Sequence, residues 1–307
     1  MSEPERHALL QPRIALPFLL VTLIWGSTWL VIKDQLGMAP ASWSVTWRFA
    51  IAAVGMALLA LVRGERLMLD RQGQIVAIAL GLTQFCFNFN FVYRAEQHLT
   101  SGLVAVLFGI LMVPNALLGR LVLKTPITRG FMAGSAIGLA GIALMLVHEA
   151  RMAPPEGKVW LGIALTLLAI LCASSANVLQ ATPVAGRQRL LPLLAWALLW
   201  GALADAAIAW LTAGPPVIPA DLRYWAGVSY LGIVGSVLTF PLYFMLIREL
   251  GPGRAAYNGV AVPVVAMLLS TLFEAYQWSL LAAAGGALAL LGMAVALRAR
   301  NPVRKSG

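Results

Sequence analysis

Charged side chains inside long apolar stretches are the first residues in this sequence that could do chemistry. Arg48 and Asp205 are the charges placed furthest inside such stretches. A charge at the centre of a helix in a lipid bilayer costs on the order of 2.5–3.5 kcal/mol, so each position needs a reason. An ion pair that clamps two helices, a proton-coupling or gating element, and two separate interfacial charges all remain open. We treat both residues as candidates for coupling or gating.

Amide side chains inside apolar stretches form a second group of candidate functional residues. Gln84 and Asn88 are one helical turn apart in a segment rich in phenylalanine that includes Phe91. Asn177 and Gln180, three residues apart, form a second pair of amides later in the chain. Because an amide in hydrocarbon is costly without a hydrogen-bond partner, these residues predict either a polar stripe that faces a cavity or an amide clasp between helices.

Small hydroxyls and one tryptophan form a third group of candidates. Ser27 and Thr28 lie in the first apolar segment, and Ser174 lies at the corresponding place in the sixth. Such hydroxyls either line a cavity or let helices pack while they bond to the preceding turn. Trp25 lies deeper than the other tryptophans, most of which lie near segment ends, and could stack on an aromatic or cationic molecule.

Two prolines interrupt apolar segments at similar places in the two halves of the chain. Pro114 is followed by Asn115, and Pro263 comes shortly after Asn258. Proline frees a backbone carbonyl inside a helix, and paired interruptions indicate a transport site in some membrane proteins. Simple kinks that curve the helices are the equally plain alternative.

Chemistry that needs a metal, a cofactor or a nucleophile has little support. The three histidines, His7, His98 and His148, are widely separated, and no zinc-type spacing or phosphate-binding glycine loop occurs. Cys86 and Cys172 lie in apolar stretches, as small core residues do. We expect no cofactor and no bound metal, and a membrane enzyme is the weakest of the alternatives.

The composition indicates what kind of structural elements must position these residues. Of 307 residues, 60% are hydrophobic and 11% are charged, which is too much apolar surface for one soluble core. The net charge of +10 comes from cations in the gaps between apolar stretches, so nucleic-acid binding is not expected. The lipid bilayer must act as the solvent.

Ten apolar windows are long enough to cross a bilayer, so we predict an all-α membrane protein with ten transmembrane helices. The windows are 14–32, 45–62, 75–93, 101–119, 128–147, 160–180, 191–211, 224–246, 254–273 and 278–297. With alternating connections, sixteen Lys and Arg fall on the side of the termini and five on the other. The positive-inside bias predicts cytoplasmic termini in the cell inner membrane.

A shift of 151 residues superposes the two halves, matching Gly102 with Gly253 and Gly134 with Gly285. We predict repeats at 14–147 and 160–297, with a cytoplasmic tail at 1–13, a periplasmic connection at 148–159 and a basic cytoplasmic tail at 298–307. Because each repeat has an odd number of helices, the two copies are inverted, which is typical of secondary transporters.

Several short motifs in order resemble a known family. They are Ile24-Trp25-Gly26-Ser27-Thr28-Trp29, Trp47-Arg48-Phe49-Ala50, Tyr230-Leu231-Gly232-Ile233-Val234-Gly235-Ser236, Tyr243 to Arg248, Gly253-Arg254-Ala255-Ala256, Pro263-Val264-Val265 and Glu274. This order resembles the EamA-type exporters of the drug/metabolite transporter superfamily. The resemblance implies a central cavity lined mainly by helices 1, 3, 4, 6, 8 and 9 that opens alternately to either side.

We therefore predict a secondary transporter that exports an amino acid, a related metabolite or an amphipathic drug, with protons as the candidate coupling ion. A receptor or scaffold without transport is the main alternative. The candidate substrate-binding residues are Trp25, Ser27, Thr28, Gln84, Asn88, Phe91, Asn115, Ser174, Asn177, Tyr243 and Asn258.

Overall fold

A computed structural model of the protein describes residues 12–152, 158–255 and 258–299. Most of the predicted N-terminal tail, the middle of the predicted connection at 148–159 and nearly all of the basic C-terminal tail lie outside the described residues.

The regular secondary structure of the described residues is helical, without a β-strand, which confirms an all-α protein. Eight of its helices are long and apolar enough to cross a membrane, and two shorter apolar helices follow them. The helices are α1 (Pro12–Gln35), α2 (Ala41–Val62), α3 (Arg71–Ala95), α4 (Ser101–Leu123), α5 (Arg129–Met152), α6 (Val159–Gln180), α7 (Leu190–Ala213), α8 (Leu222–Ser229 continuing through Thr239–Ala255), α9 (Asn258–Phe273) and α10 (Leu280–Ala299).

Polar residues set the boundaries of several helices. The Asp70 carboxylate accepts a hydrogen bond from the Gly73 backbone at 2.7 Å where α3 begins. The Thr100 hydroxyl accepts one from the Leu103 backbone at 3.4 Å where α4 begins. These caps satisfy backbone N–H groups that have no partner within the helix.

Two helices contain π-helical segments at corresponding places. In α3 the segment is Gly81–Phe87, and in α8 it is Tyr230–Leu238. Under the shift of 151 residues, Gly81 falls on Gly232, inside the second segment. A π-helical turn holds more residues than an α-helical turn, so it changes which side chains face the interior after it.

Helix pairs from the two halves pack in a matched pattern. Helix α5 packs along α10, and α2 packs along α7. Likewise α1 contacts α9 while α4 contacts α6. The α5–α10 contact is close because glycines face each other: a methyl group on Gly285 would lie 2.7 Å from the Gly141 carbonyl oxygen. Small residues at such contacts let backbones approach within a membrane.

Two apolar cores hold the bundle together. The first core joins α1, α2 and α3 with α6, α7 and α8, and includes Phe49, Phe85, Leu198 and Phe244. The second core joins α4 and α5 with α6, α9 and α10, and includes Leu103, Met145, Ala289 and Met293. Each core therefore combines helices from both halves of the sequence.

Candidate functional site

A cavity lies between the two cores. Its empty volume is about 860 Å³, counting the space open at its mouth. Helices α1, α3, α4, α6, α8 and α9 all contribute to its wall, as the family resemblance implies, and α2 adds one residue. The lining residues are Trp25, Thr28, Trp29, Ile32, Arg48, Gln84, Asn88, Phe89, Val92, Ala105, Phe108, Leu111, Ala173, Asn177, Phe240, Tyr243, Asn258, Gly259, Val262 and Pro263.

Aromatic rings from α1 and α8 form one side of the cavity. The Trp25 ring lies 4.7 Å from the Tyr243 ring and 5.4 Å from the Phe240 ring, between centroids. Its indole N–H donates to the Gly235 carbonyl oxygen at 3.2 Å. That carbonyl belongs to the π-helical segment of α8, so the segment helps to fix the tryptophan.

The two amides of α3 also line the cavity. Gln84 is within the π-helical segment and Asn88 follows it. The Asn88 side-chain N–H donates to the Gln84 backbone oxygen at 3.2 Å. The side-chain oxygens of both residues are buried without a hydrogen-bond partner. Unpaired buried acceptors are costly, so this wall suits a molecule that donates hydrogen bonds.

The amide of Asn258 joins α9 to α1 beside the cavity. Its side-chain oxygen accepts a hydrogen bond from the Thr22 hydroxyl at 2.6 Å. Its side-chain nitrogen is buried and has no partner. An unused donor therefore lies in the same cavity as the unused acceptors of α3.

Arg48 is the charged member of the cavity lining, and it does not pair with Asp205. Its guanidinium lies 4.3 Å from the centre of the Phe89 ring and 5.1 Å from that of Phe49. Asp205 instead accepts a hydrogen bond from the Asn90 side chain at 2.6 Å. The ion pair, one of the alternatives that the sequence left open, does not form, because α2 and α7 direct these two side chains toward different neighbours. Within the described residues the ion pair found is between Arg223 and Asp34.

The other predicted site residues lie away from the cavity wall. The Ser27 hydroxyl bonds to the Tyr230 hydroxyl at 2.7 Å, and Phe91 stacks on Phe87 with centroids 6.5 Å apart. Phe91 misses the cavity because the π-helical segment offsets the regular spacing from Gln84. Ser174, Asn115, Pro114 and Asp205 are likewise absent from the lining, whereas Pro263 contributes to it. Ser174 and Asn115 are nevertheless buried, and each has an oxygen without a partner.

Several aromatic lining residues are missing from the predicted set. They are Trp29, Phe89, Phe108 and Phe240. Trp29 lies one turn beyond Trp25 on α1, and that spacing was the available signal. Phe108 packs against Trp29 at 5.0 Å between centroids, a contact between distant segments that periodicity alone does not predict.

A second polar cluster lies where α1, α3, α4 and α9 end or begin. The Lys33 ammonium donates to the backbone oxygens of Glu96 and Leu99. The Glu274 carboxylate accepts from the backbone and hydroxyl of Ser101. Glu96 has no exposed surface, and neither carboxyl oxygen has a hydrogen-bond partner. Among the described residues, no group of three His, Cys, Asp or Glu could hold a metal ion.

Comparison with known proteins agrees with this architecture. The model of the EamA-like transporter family matches residues 13–147 and again residues 160–298. YedA of Escherichia coli (strain K12), named as an uncharacterized inner membrane transporter, is 30% identical over 254 residues, 81% of this chain and 79% of that protein. Protein PecM of Dickeya dadantii is 27% identical over 79% of this chain and 84% of its own length.

More distant relatives extend the likeness over most of the chain. Protein PagO of Salmonella typhimurium (strain LT2) is 23% identical over 87% of this chain and 86% of its own length. A crystal structure of a chain that is 22% identical superposes with a TM-score of 0.69 and covers 93% of this chain and 96% of that one, which shows a shared fold. The protein is thus a multi-pass membrane transporter and belongs to the EamA-like transporter family.

Proposed function

We propose that the protein is a secondary transporter that exports a small organic molecule by alternating access. The observation that carries this proposal is the cavity between the two cores, whose wall takes side chains from both halves of the chain. Its aromatic rings and neutral amides suit an amino acid, a related metabolite or an amphipathic drug.

We propose that all ten helices cross the membrane as two inverted repeats, at 14–147 and 160–297. The matched helix pairs support this arrangement, because exchanging the halves converts α1–α9 contacts into α6–α4 contacts. The π-helical segments of α3 and α8 give further support, since they fall on each other under the sequence shift. Midplane sites between inverted repeats are common in secondary transporters.

The proposed location is the inner membrane, with both termini in the cytoplasm. The excess of Lys and Arg on the side of the termini supports this orientation, sixteen against five. The name of YedA, an inner membrane transporter, agrees with the location. Within the cavity, the proposed substrate-binding residues are Trp25, Thr28, Gln84, Asn88, Asn177, Tyr243 and Asn258.

The test is a ligand screen followed by counterflow. Purified protein is screened by thermal shift against amino acids, related metabolites and amphipathic drugs, because a molecule that binds the folded state raises its stability. Each ligand found is then loaded unlabelled into liposomes that contain the protein, and the labelled form is added outside. A carrier shows transient accumulation of the label. Ligand binding without any flux would instead support a receptor or scaffold.

A pair of variants on α6 tests whether transport depends on the cavity. Asn177 is buried in the cavity wall, so Asn177→Ala is expected to reduce counterflow about tenfold through loss of a hydrogen-bonding group. Ser175 is exposed on the same helix and bonds only to the Leu171 carbonyl at 2.9 Å. Ser175→Ala is therefore the matched control, and equal loss in both variants would contradict the assignment of the cavity.

Protons are the proposed coupling ion, and Asp205 is the proposed coupling residue. Asp205 has no exposed surface, and one of its carboxyl oxygens has no partner. Asp205→Asn retains an oxygen that can accept the hydrogen bond from Asn90, but the side chain of this variant cannot ionise. In liposomes with a pH gradient, the variant is expected to lose the dependence of transport on that gradient. Unchanged pH dependence would remove Asp205 from coupling and leave it as a structural contact between α3 and α7.

A further inference from the structure

Arg48 presents an unneutralised charge to the cavity. The residue is only 1% exposed, yet its side chain forms part of the cavity wall. Its guanidinium carbon lies over two aromatic rings, 5.1 Å from the centre of Phe49 and 4.3 Å from that of Phe89. Aromatic faces position a guanidinium and leave its N–H groups, which lie in its own plane, free to bind an anion.

The Tyr93 hydroxyl is a hydrogen-bonding neighbour of Arg48, but it does not use all of the donors of the guanidinium. The Nε and Nη1 atoms of Arg48 are both buried without a hydrogen-bond partner. Glu96 is the acidic residue with an electrostatic effect on Arg48, but the two form no ion pair. A buried charge that has no paired carboxylate and leaves two donor atoms without an acceptor is unfavourable, so this position suits an anion from outside the chain.

The remaining unused groups of the cavity are neutral and line the same cavity as this charge. Trp29 and Asn258 each have a buried N–H group without an acceptor, and Gln84 and Asn88 each have an oxygen without a donor. The lining therefore offers one positive charge, a few neutral donors and acceptors, and apolar aromatic surface. Such a site accommodates one anionic group, whereas a phosphate ester would call for more than one cation.

We propose that the cavity binds small organic monocarboxylates, with the Arg48 guanidinium as the ligand of the carboxylate. The guanidinium fork matches a carboxylate with two parallel hydrogen bonds. The apolar body of the molecule lies against Trp29 and Phe108, and a hydroxyl or ammonium group on it donates to Gln84 or Asn88. The proposal rests on the proposed function, because it concerns the same cavity and names its substrate class and specificity-determining residue.

The experiment compares acids with their own amides. Protein in detergent is titrated with 3-phenylpropanoate, 3-phenylpropanamide and 3-phenylpropylamine, and with hexanoate and hexanamide, while the melting temperature is followed. The two acids are expected to raise the melting temperature in a saturable manner, and the amides and the amine to bind at least about thirtyfold more weakly, as for loss of a buried charged hydrogen bond. Equal binding of acids and amides, or no binding of either acid, would overturn the proposal.

Variants then assign the effect to Arg48. Arg48→Gln is expected to abolish the preference for acids over amides, and Arg48→Lys to retain part of it, because lysine keeps the charge but loses the fork. Arg223→Gln removes a cation that is paired with Asp34 outside the cavity, and is the matched control. Wild-type preference in Arg48→Gln would overturn the proposal. If Arg48→Gln does not fold, the acid and amide series on the wild type and on Arg48→Lys still decides the question.

The two proposals can fail separately. Acids that bind through Arg48 but show no counterflow would leave the carboxylate site in place and remove the carrier function. Counterflow of neutral or cationic ligands that does not depend on Arg48 would keep the carrier function and remove the carboxylate site.

Discussion

Glu96 shows how the surroundings of one residue can set the pH dependence of the whole protein. It lies just after α3, completely buried. Burial raises the pKa of its carboxyl group well above the usual 4.5, and this effect outweighs the opposing influence of Lys33, while Glu274 adds to the rise. Between its ordinary and its raised pKa, the folded protein binds a proton that the unfolded chain releases. Stability therefore falls as the pH rises through this window.

We predict that Glu96→Gln removes this pH dependence. In the wild type the contribution of Glu96 is fully present below its ordinary pKa and is lost as the pH rises through the raised one. The melting temperature in detergent is expected to decrease as the pH rises above the ordinary pKa of a glutamate, and to decrease less in Glu96→Gln. Gln97→Ala, an exposed and neutral neighbour, is the control. A slope in Glu96→Gln as steep as in the wild type would contradict the prediction.

Sequence reasoning at the residue scale found polar groups but not their partners. Spacing alone placed Gln84 and Asn88 on one face, and both line the cavity. The sequence left open whether Arg48 and Asp205 pair, because pairing depends on how α2, α3 and α7 are rotated about their axes, and in the structure each has other neighbours. Depth in a hydropathy profile carries no information about that rotation.

At the scale of elements, the π-helical segments are the feature that sequence periodicity could not predict. Gly81 lies where α3 meets α7, and a methyl group there would be 2.6 Å from the Ala197 carbonyl oxygen. Gly232 lies where α8 meets α2, and a methyl group there would be 2.9 Å from the Arg48 carbonyl oxygen. Each glycine was visible in the sequence, but the wider turn that follows it depends on packing between distant helices.

We predict that the α5–α10 contact is intolerant of added volume. A methyl group on Gly141 would overlap the backbones of Ala289 and Gly285, so the helices would have to separate. Gly141→Ala is expected to destabilise the protein by about 1–3 kcal/mol, as overpacking does elsewhere, and to lower the melting temperature in detergent.

A neighbouring glycine serves as the matched control. A methyl group on Gly286, also in α10, would meet nothing closer than the Met145 sulfur at 3.7 Å. Gly286→Ala is expected to leave the melting temperature unchanged or to raise it slightly, because alanine favours a helix over glycine. Equal losses in the two variants would show that general helix effects, not the close contact, determine stability.

At the scale of the whole molecule, the two cores do not coincide with the two halves of the sequence. The first core takes α1, α2 and α3 from one half and α6, α7 and α8 from the other, and the second takes α4 and α5 together with α6, α9 and α10. Helix α6 therefore contributes to both cores. Hydropathy predicted where the helices lie along the chain, whereas this grouping depends on contacts between distant residues.

This interleaving also has a consequence for how the protein is made. The ribosome delivers α1 to α5 to the membrane first, at a stage when α2 lacks α7 and α5 lacks α10. The glycines of α5 then face lipid, with no opposing backbone to fill the space beside them. A chain that stops after its first five helices therefore carries part of each core and completes neither.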